Sequence, residues 1–276
     1  MAKKKKGTKF KKVIYPFLSA DKGHEERWYA GRDPMDWPKP IRAVFAGSPS
    51  CGKTRAVLNI ILRSNFDKVF VLHEDPNTKE YDPCGAIILT ELPPNSFWMN
   101  GGKDEDESES SSDSDSDEEK EKLPICLVID DICYAERFNK VQAARLNRVC
   151  GFISSHFNVS LLMCAQDFTE QPAIARRCSQ YFAIWRPTCL DNLNTIGRRV
   201  GLNSVQMKDL FETHVKDYES CVVFDKSVRT PYPIRLNFFQ IIKSSAFCSE
   251  DNNIVHDDYL ISKVQRIAII PPIAGG

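Results

Sequence analysis

An apolar run that stops at a glycine and resumes as a helical pattern constrains this chain more than any other stretch. It reads "IRAVFAGSPSCGKTRAVLNIIL", from Ile41 to Leu62. Ile41–Ala46 is too short for a helix and reads as a buried strand, whereas Lys53–Ser64 has the apolar spacing of a helix. Between them Gly47, Ser48, Pro49, Ser50, Cys51, Gly52, Lys53 and Thr54 fit the pattern G-x-x-x-x-G-K-[ST]. Small residues let consecutive backbone N–H groups wrap a phosphate at a helix N-terminus. In such a loop Lys53 neutralises the outer phosphates and the Thr54 hydroxyl holds Mg2+. These eight residues are therefore the expected binding site for ATP with Mg2+.

A phosphate loop needs a second half, a carboxylate at the C-terminal end of a neighbouring strand. "ICLVIDD" supplies one: Ile125–Ile129 is a continuous apolar run suited to a central parallel strand, and Asp130 and Asp131 follow it. Asp130 is the expected metal ligand beside Thr54. Asp131 is the expected general base on the attacking water, with Glu136 next in line. Gln166 ends another apolar run, "VSLLMCA", where a parallel sheet faces its ligand crevice. Its amide either senses the outer phosphate or merely caps the strand. Arg176 and Arg177 follow on a short helical stretch. Either they are a solvated basic pair, or one reaches across a subunit boundary to stabilise the charge of the transferring phosphoryl group.

From Ile41 to Ser245 short apolar runs alternate with amphipathic ones, as in repeated βαβ units. Further strands are expected at Lys68–Leu72, Gly85–Thr90, Val159–Ala165 and Tyr181–Trp185, with a closing pair at Ser220–Phe224 and Ile234–Phe238. Helices are expected at Phe138–Phe157, Pro172–Ser179, Asp191–Val200 and Ser204–Val215. At least one strand separates the loop-bearing strand from the acid-bearing one. The expected fold is therefore α/β, a RecA-like P-loop NTPase of the additional-strand type, with a mainly parallel central sheet flanked by helices. The ATPase domain is expected over 41–245, between a basic extension (1–40) and a tail (246–276). The additional-strand arrangement argues against small-metabolite kinases, which also usually need a lid and a substrate cleft. No cysteines have the zinc spacing that a thymidine-kinase-like reading predicts.

Charge divides the chain. The formal net charge is zero, yet Asp104–Glu121 holds eleven acidic residues against one lysine, so the remainder carries +10. That tract lacks the apolar residues to fold, and 101–122 is expected to be a disordered acidic insert. A basic remainder suits a polyanionic partner. Residues 1–12 hold seven lysines. A nuclear import signal, a DNA-touching arm and a solubilising end remain open readings of them. The ten cysteines include no CxxC pair, which fits reduced thiols in cytosol or nucleus. No apolar run approaches the ~18 residues of a membrane span, and no membrane partner is expected.

Taken in order, "GSPSCGKT", "ICLVIDD", "SSHFNVSLLMCAQDFTEQPAIARRCSQYFAIWRP" and "LDNLNTIGRRVGL" resemble the FtsK–HerA superfamily. Within it they look most like the genome-packaging ATPases of poxviruses, other large DNA viruses, virophages and Polinton-like elements. The resemblance covers about 41–245; the acidic insert and the lysine tail stand outside it, and Asp131 departs from the commoner Glu. It implies a Mg-dependent ATPase that translocates double-stranded DNA as a hexameric or pentameric homo-oligomeric ring. A packaging member would feed a viral genome into a preformed capsid, meeting a capsid vertex or other virion proteins. It would work in the host nucleus or at a viral replication site, with the cytoplasm as the alternative. Two other functions stay open: a related ATPase in replication or segregation, such as a helicase loader, and a DNA-binding scaffold that has lost hydrolysis.

Overall fold

A computed structural model of the chain describes residues 35, 37–103, 124–130, 132, 138–187, 190–227 and 233–242. The lysine tail, the acidic insert, Asp131, Glu136 and residues 243–276 lie outside these. Nine strands form one sheet in the order β3-β2-β4-β5-β1-β6-β7-β8-β9. They are β1 Arg42–Ala46, β2 Lys68–Leu72, β3 Ile87–Leu89, β4 Ile125–Ile129, β5 Val159–Ala165, β6 Tyr181–Trp185, β7 Cys221–Asp225, β8 Ile234–Leu236 and β9 Gln240–Ile241. The first six run parallel. The last three are added antiparallel. This is the expected α/β class, with β5 as the additional strand between β1 and β4.

Continuous apolar strands demand cover on both faces. Alternate residues of β1, β2, β4, β5, β6 and β7 point to one face and share a buried cluster with helix α1 (Lys53–Arg63). Ala56, Val57, Ile60 and Ile61 supply that helix's apolar stripe. Trp37 closes the same cluster by stacking on Tyr181, ring centroids 4.2 Å apart. The packed body thus reaches back to Met35, ahead of the expected boundary at 41. Toward the β3 end Phe70 meets Phe97 and Trp98 of α2 (Asn95–Met99) edge-on. The long helix after β4 begins as α3 (Lys140–Arg148), passes through a π turn at Val149–Ile153, and ends at Ser154–His156. Three more helices follow: α4 (Ala173–Cys178), α5 (Leu190–Val200) and α6 (Ser204–His214).

Some boundaries differ from expectation for local reasons. Gly85 is left-handed, φ 62°, so the expected strand Gly85–Thr90 shrinks to β3. Asn237 and Phe238 have φ of 48° and 70°, which turns the chain and splits the expected strand Ile234–Phe238 into β8 and β9. α3 starts two residues late because the Asn139 side chain caps it, accepting from the N–H groups of Val141 and Gln142. α2 was not expected: five residues after Pro93-Pro94 are too few to display a helical period.

Candidate functional site

The loop after β1 leaves the sheet at its centre, which is where a doubly covered parallel sheet opens a crevice. Gly47 stays tied to the sheet, its N–H donating to Ala165 O at 3.2 Å. Ser50 has φ 62° and Gly52 φ 102°, and these left-handed residues bend the loop into a concave nest. Gly52 caps α1 without any side-chain hydrogen bond, and no acidic residue stands in the first turn. Lys53 and Arg55 are there instead. A helix start with unspent N–H donors, no capping carboxylate and two cations is built for an anion. The Lys53 ammonium donates to Gly47 O at 2.7 Å and Ser48 O at 2.9 Å, so it stands over the loop itself.

Asp130 follows β4, and its N–H donates to Leu72 O at the end of β2 at 3.1 Å. β5 runs between β4 and β1, so Asp130 stands two strands from the loop rather than on the neighbouring strand, as the additional-strand type requires. The side chains bridge that gap: Thr54 Oγ1 donates to Asp130 Oδ2 at 2.9 Å. Two hard oxygen ligands therefore stand together at the helix start, a pair that fits Mg2+, which takes few protein ligands and keeps phosphates and water for the rest. Asp130 is only 3% exposed. A carboxylate so buried needs donors around it. Tyr81, itself buried, donates its hydroxyl to the same Oδ2 at 2.5 Å. Burial, and then the neighbouring Asp130 charge, push the Tyr81 phenol well above its usual range and keep its proton on. Burial, and then the Asp130 charge, likewise push the Cys164 thiol on β5 well above its usual range.

Neither Tyr81 nor Cys164 was marked in the sequence. Cys164 was legible in principle, since β5 pairs with β4 in a register that brings it level with Asp130. Tyr81 gave no local signal, sitting in a polar connection far from both motifs. Tyr218 also went unmarked; its hydroxyl donates to Pro49 O, and Trp185 Nε1 donates to Glu219 O at 3.0 Å, so the residues before β7 brace the loop.

Gln166 stands exposed just past β5, level with Gly47. Arg176 and Arg177 lie in the last turn of α4, which leads to the start of β6, at the opposite end of the parallel strands from the loop. There Gln180 N donates to Arg42 O at 2.8 Å, and Lys226 N donates to Gln180 O at 2.7 Å. Burial lowers the Arg176 pKa, and Arg199 and Arg177 lower it further. Burial and Arg199 do the same to Lys226. Arg176 sits over Phe168 and Lys226 over Phe182. Thus Lys53, Thr54, Asp130 and Gln166 gather where the parallel strands end, while Arg176, on α4, has Phe168, Asp167 and Arg199 for neighbours.

No protein-family model matches the chain, and no curated protein does. Among solved structures it is similar to the genome-packaging NTPase B204 from Sulfolobus turreted icosahedral virus 2 in complex with sulfate, at 12% identity and TM-score 0.47, over 74% of this chain and 96% of that one. It is also similar to the DNA-packaging ATPase B204 from Sulfolobus turreted icosahedral virus, at 11% identity and TM-score 0.48, over 70% and 95%. A third likeness is to the pCW3 conjugation coupling protein TcpA with ATPγS, at 13% identity and TM-score 0.43, over 68% and 58%. Among the described residues no helix is long and apolar enough to cross a membrane.

Proposed function

We propose that the chain is a Mg2+-dependent ATPase that moves double-stranded DNA, and that the DNA it moves is a viral genome entering a preformed capsid. The observation that carries the nucleotide reading is the Thr54–Asp130 hydrogen bond, 2.9 Å long and spanning an intervening strand at an uncapped helix start. Backbone N–H groups at the helix start, those of Gly52, Lys53 and Thr54, would cradle the phosphates, and Lys53 would leave its two loop carbonyls to meet them. Thr54 and Asp130 would hold Mg2+, which would neutralise phosphate charge there. Asp131 is assigned as the base and Gln166 as the residue that positions the attacked phosphate and the water. Arg176 and Arg177 stand on α4, and among the described residues neither has a hydrogen bond to the loop of its own chain, so either would act on the nucleotide of a second copy. That favours a homo-oligomeric ring, and the +10 balance outside the acidic tract favours a duplex as its cargo. The lysine-rich start favours the host nucleus as the place of work.

Turnover of ATP by the purified full chain, with and without duplex DNA and beside the mass of the oligomer, tests the reading. Duplex is expected to stimulate turnover, and Lys53→Ala to abolish it. An oligomer indifferent to duplex would point instead to a scaffold without hydrolysis. A virus bearing Lys53→Ala should build empty particles; DNA-filled ones would reject packaging.

A further inference from the structure

The Asp130 carboxylate is gripped from two sides, and only one grip belongs to a recognised motif. Thr54 Oγ1 approaches Oδ2 from α1 at 2.9 Å. Tyr81 OH approaches the same oxygen at 2.5 Å from the connection between β2 and β3. That connection is held together by its own hydrogen bonds. His73 N donates to Leu89 O at 3.1 Å, and Asp75 N to His73 Nδ1 at 2.9 Å. Asn77 N donates to Asp75 Oδ1 at 2.9 Å, and Cys84 N to Tyr81 O at 3.1 Å. Tyr81 then enters the short 3-10 turn Asp82–Cys84, and its ring is buried with Ala56, Val57 and Ile60 of α1. A self-bonded segment therefore delivers one phenol to one carboxylate oxygen.

We infer that Tyr81 is a positioning residue for metal-bound nucleotide, holding Asp130 in the rotamer that faces Thr54. The inference rests on the nucleotide reading above. A carboxylate turns about two side-chain bonds; two donors that converge on Oδ2 from different elements hold that oxygen beside Thr54 more firmly than one. The Thr54 hydroxyl is also the oxygen that would ligate the metal, so its bond to Asp130 is strained or shared whenever metal enters. The Tyr81 bond makes no such demand, because the phenol stands outside the expected ligand pair. Partners of this kind around metal ligands govern metal affinity more than fold. The metal-dependent part of nucleotide binding should therefore register the loss of this hydroxyl, and the metal-independent part should not.

Tyr81→Phe keeps the ring in its pocket and removes only the donor. Binding of a fluorescent ATP analogue to the full-length chain is measured in EDTA and across a Mg2+ titration, with thermal melting alongside. Affinity in EDTA should stay within about twofold of wild type, while the Mg2+ midpoint rises on the order of tenfold. In an Asp130→Asn background the same substitution should change the midpoint little, since the two residues act through one bond. An unchanged midpoint, or equal losses with and without Mg2+, would overturn the inference while leaving the nucleotide reading standing. A wild-type chain that binds no nucleotide with Mg2+ would overturn both.

Discussion

At Gly47 an added β-carbon would stand 2.6 Å from Trp185 Cβ and 2.8 Å from Cys51 Sγ. Trp185 Cβ is the rigid root of a buried side chain, so it gives way only by moving β6. Gly47→Ala should therefore cost about 1–3 kcal/mol in a thermal melt, the usual range for overpacking. It should also weaken nucleotide binding, because the displaced loop no longer aims its N–H groups. Gly52 is a glycine for another reason: nothing lies within 4 Å of its missing β-carbon, but its φ is 102°. The two glycines of the motif were legible as a pattern, and their separate duties, one spatial and one torsional, were not. Asp130 was legible too, since the apolar run before it admits one reading. Tyr81 was not, because a lone aromatic in a polar connection becomes meaningful only once the sheet brings residues 49 apart into contact.

The strands were read from sequence more faithfully than the helices. Runs such as Ile125–Ile129 are apolar at every position because both faces of the sheet are covered, and that leaves no ambiguity of period. The antiparallel end of the sheet hid its own chemistry. On β7 and β8 Asp225 and Arg235 are paired at 3.4 Å with side chains 0% and 3% exposed. Ser227 N and Oγ also donate to Asp225, at 2.9 and 2.5 Å. Asp225→Ala removes the carboxylate paired with a buried guanidinium and should lower stability by about 3–5 kcal/mol. Replacing both residues together, Asp225→Leu with Arg235→Met, should recover most of that loss in a urea melt. If the double variant is as unstable as the single one, the pair contributes more than mutual neutralisation.

Across the whole molecule the acidic segment begins and ends at one place. Lys68 Nζ donates to Gly102 O at 3.1 Å, and Asp67 N donates to Pro124 O at 2.9 Å. Its two attachment points thus rest on consecutive residues at the start of β2, and a short linker closes the gap at small entropic cost. Deleting 104–121 should leave the fold and ATP turnover intact. Non-specific duplex affinity should rise on the order of tenfold at low salt, with a steeper salt dependence, once the −10 of the segment no longer offsets the body. Unchanged affinity would locate the +10 away from any DNA-contacting surface.

The loop after β1 leaves the C-terminal ends of the parallel strands, whereas α4, with Arg176 and Arg177, runs toward the start of β6 at their N-terminal ends. An interface that set α4 of one copy against the loop of the next, without the reciprocal contact, would be heterologous. Each copy added this way would leave one loop and one α4 free at the ends of the row. Such a head-to-tail contact has a built-in direction, and its only finished forms are a closed circle or an endless filament.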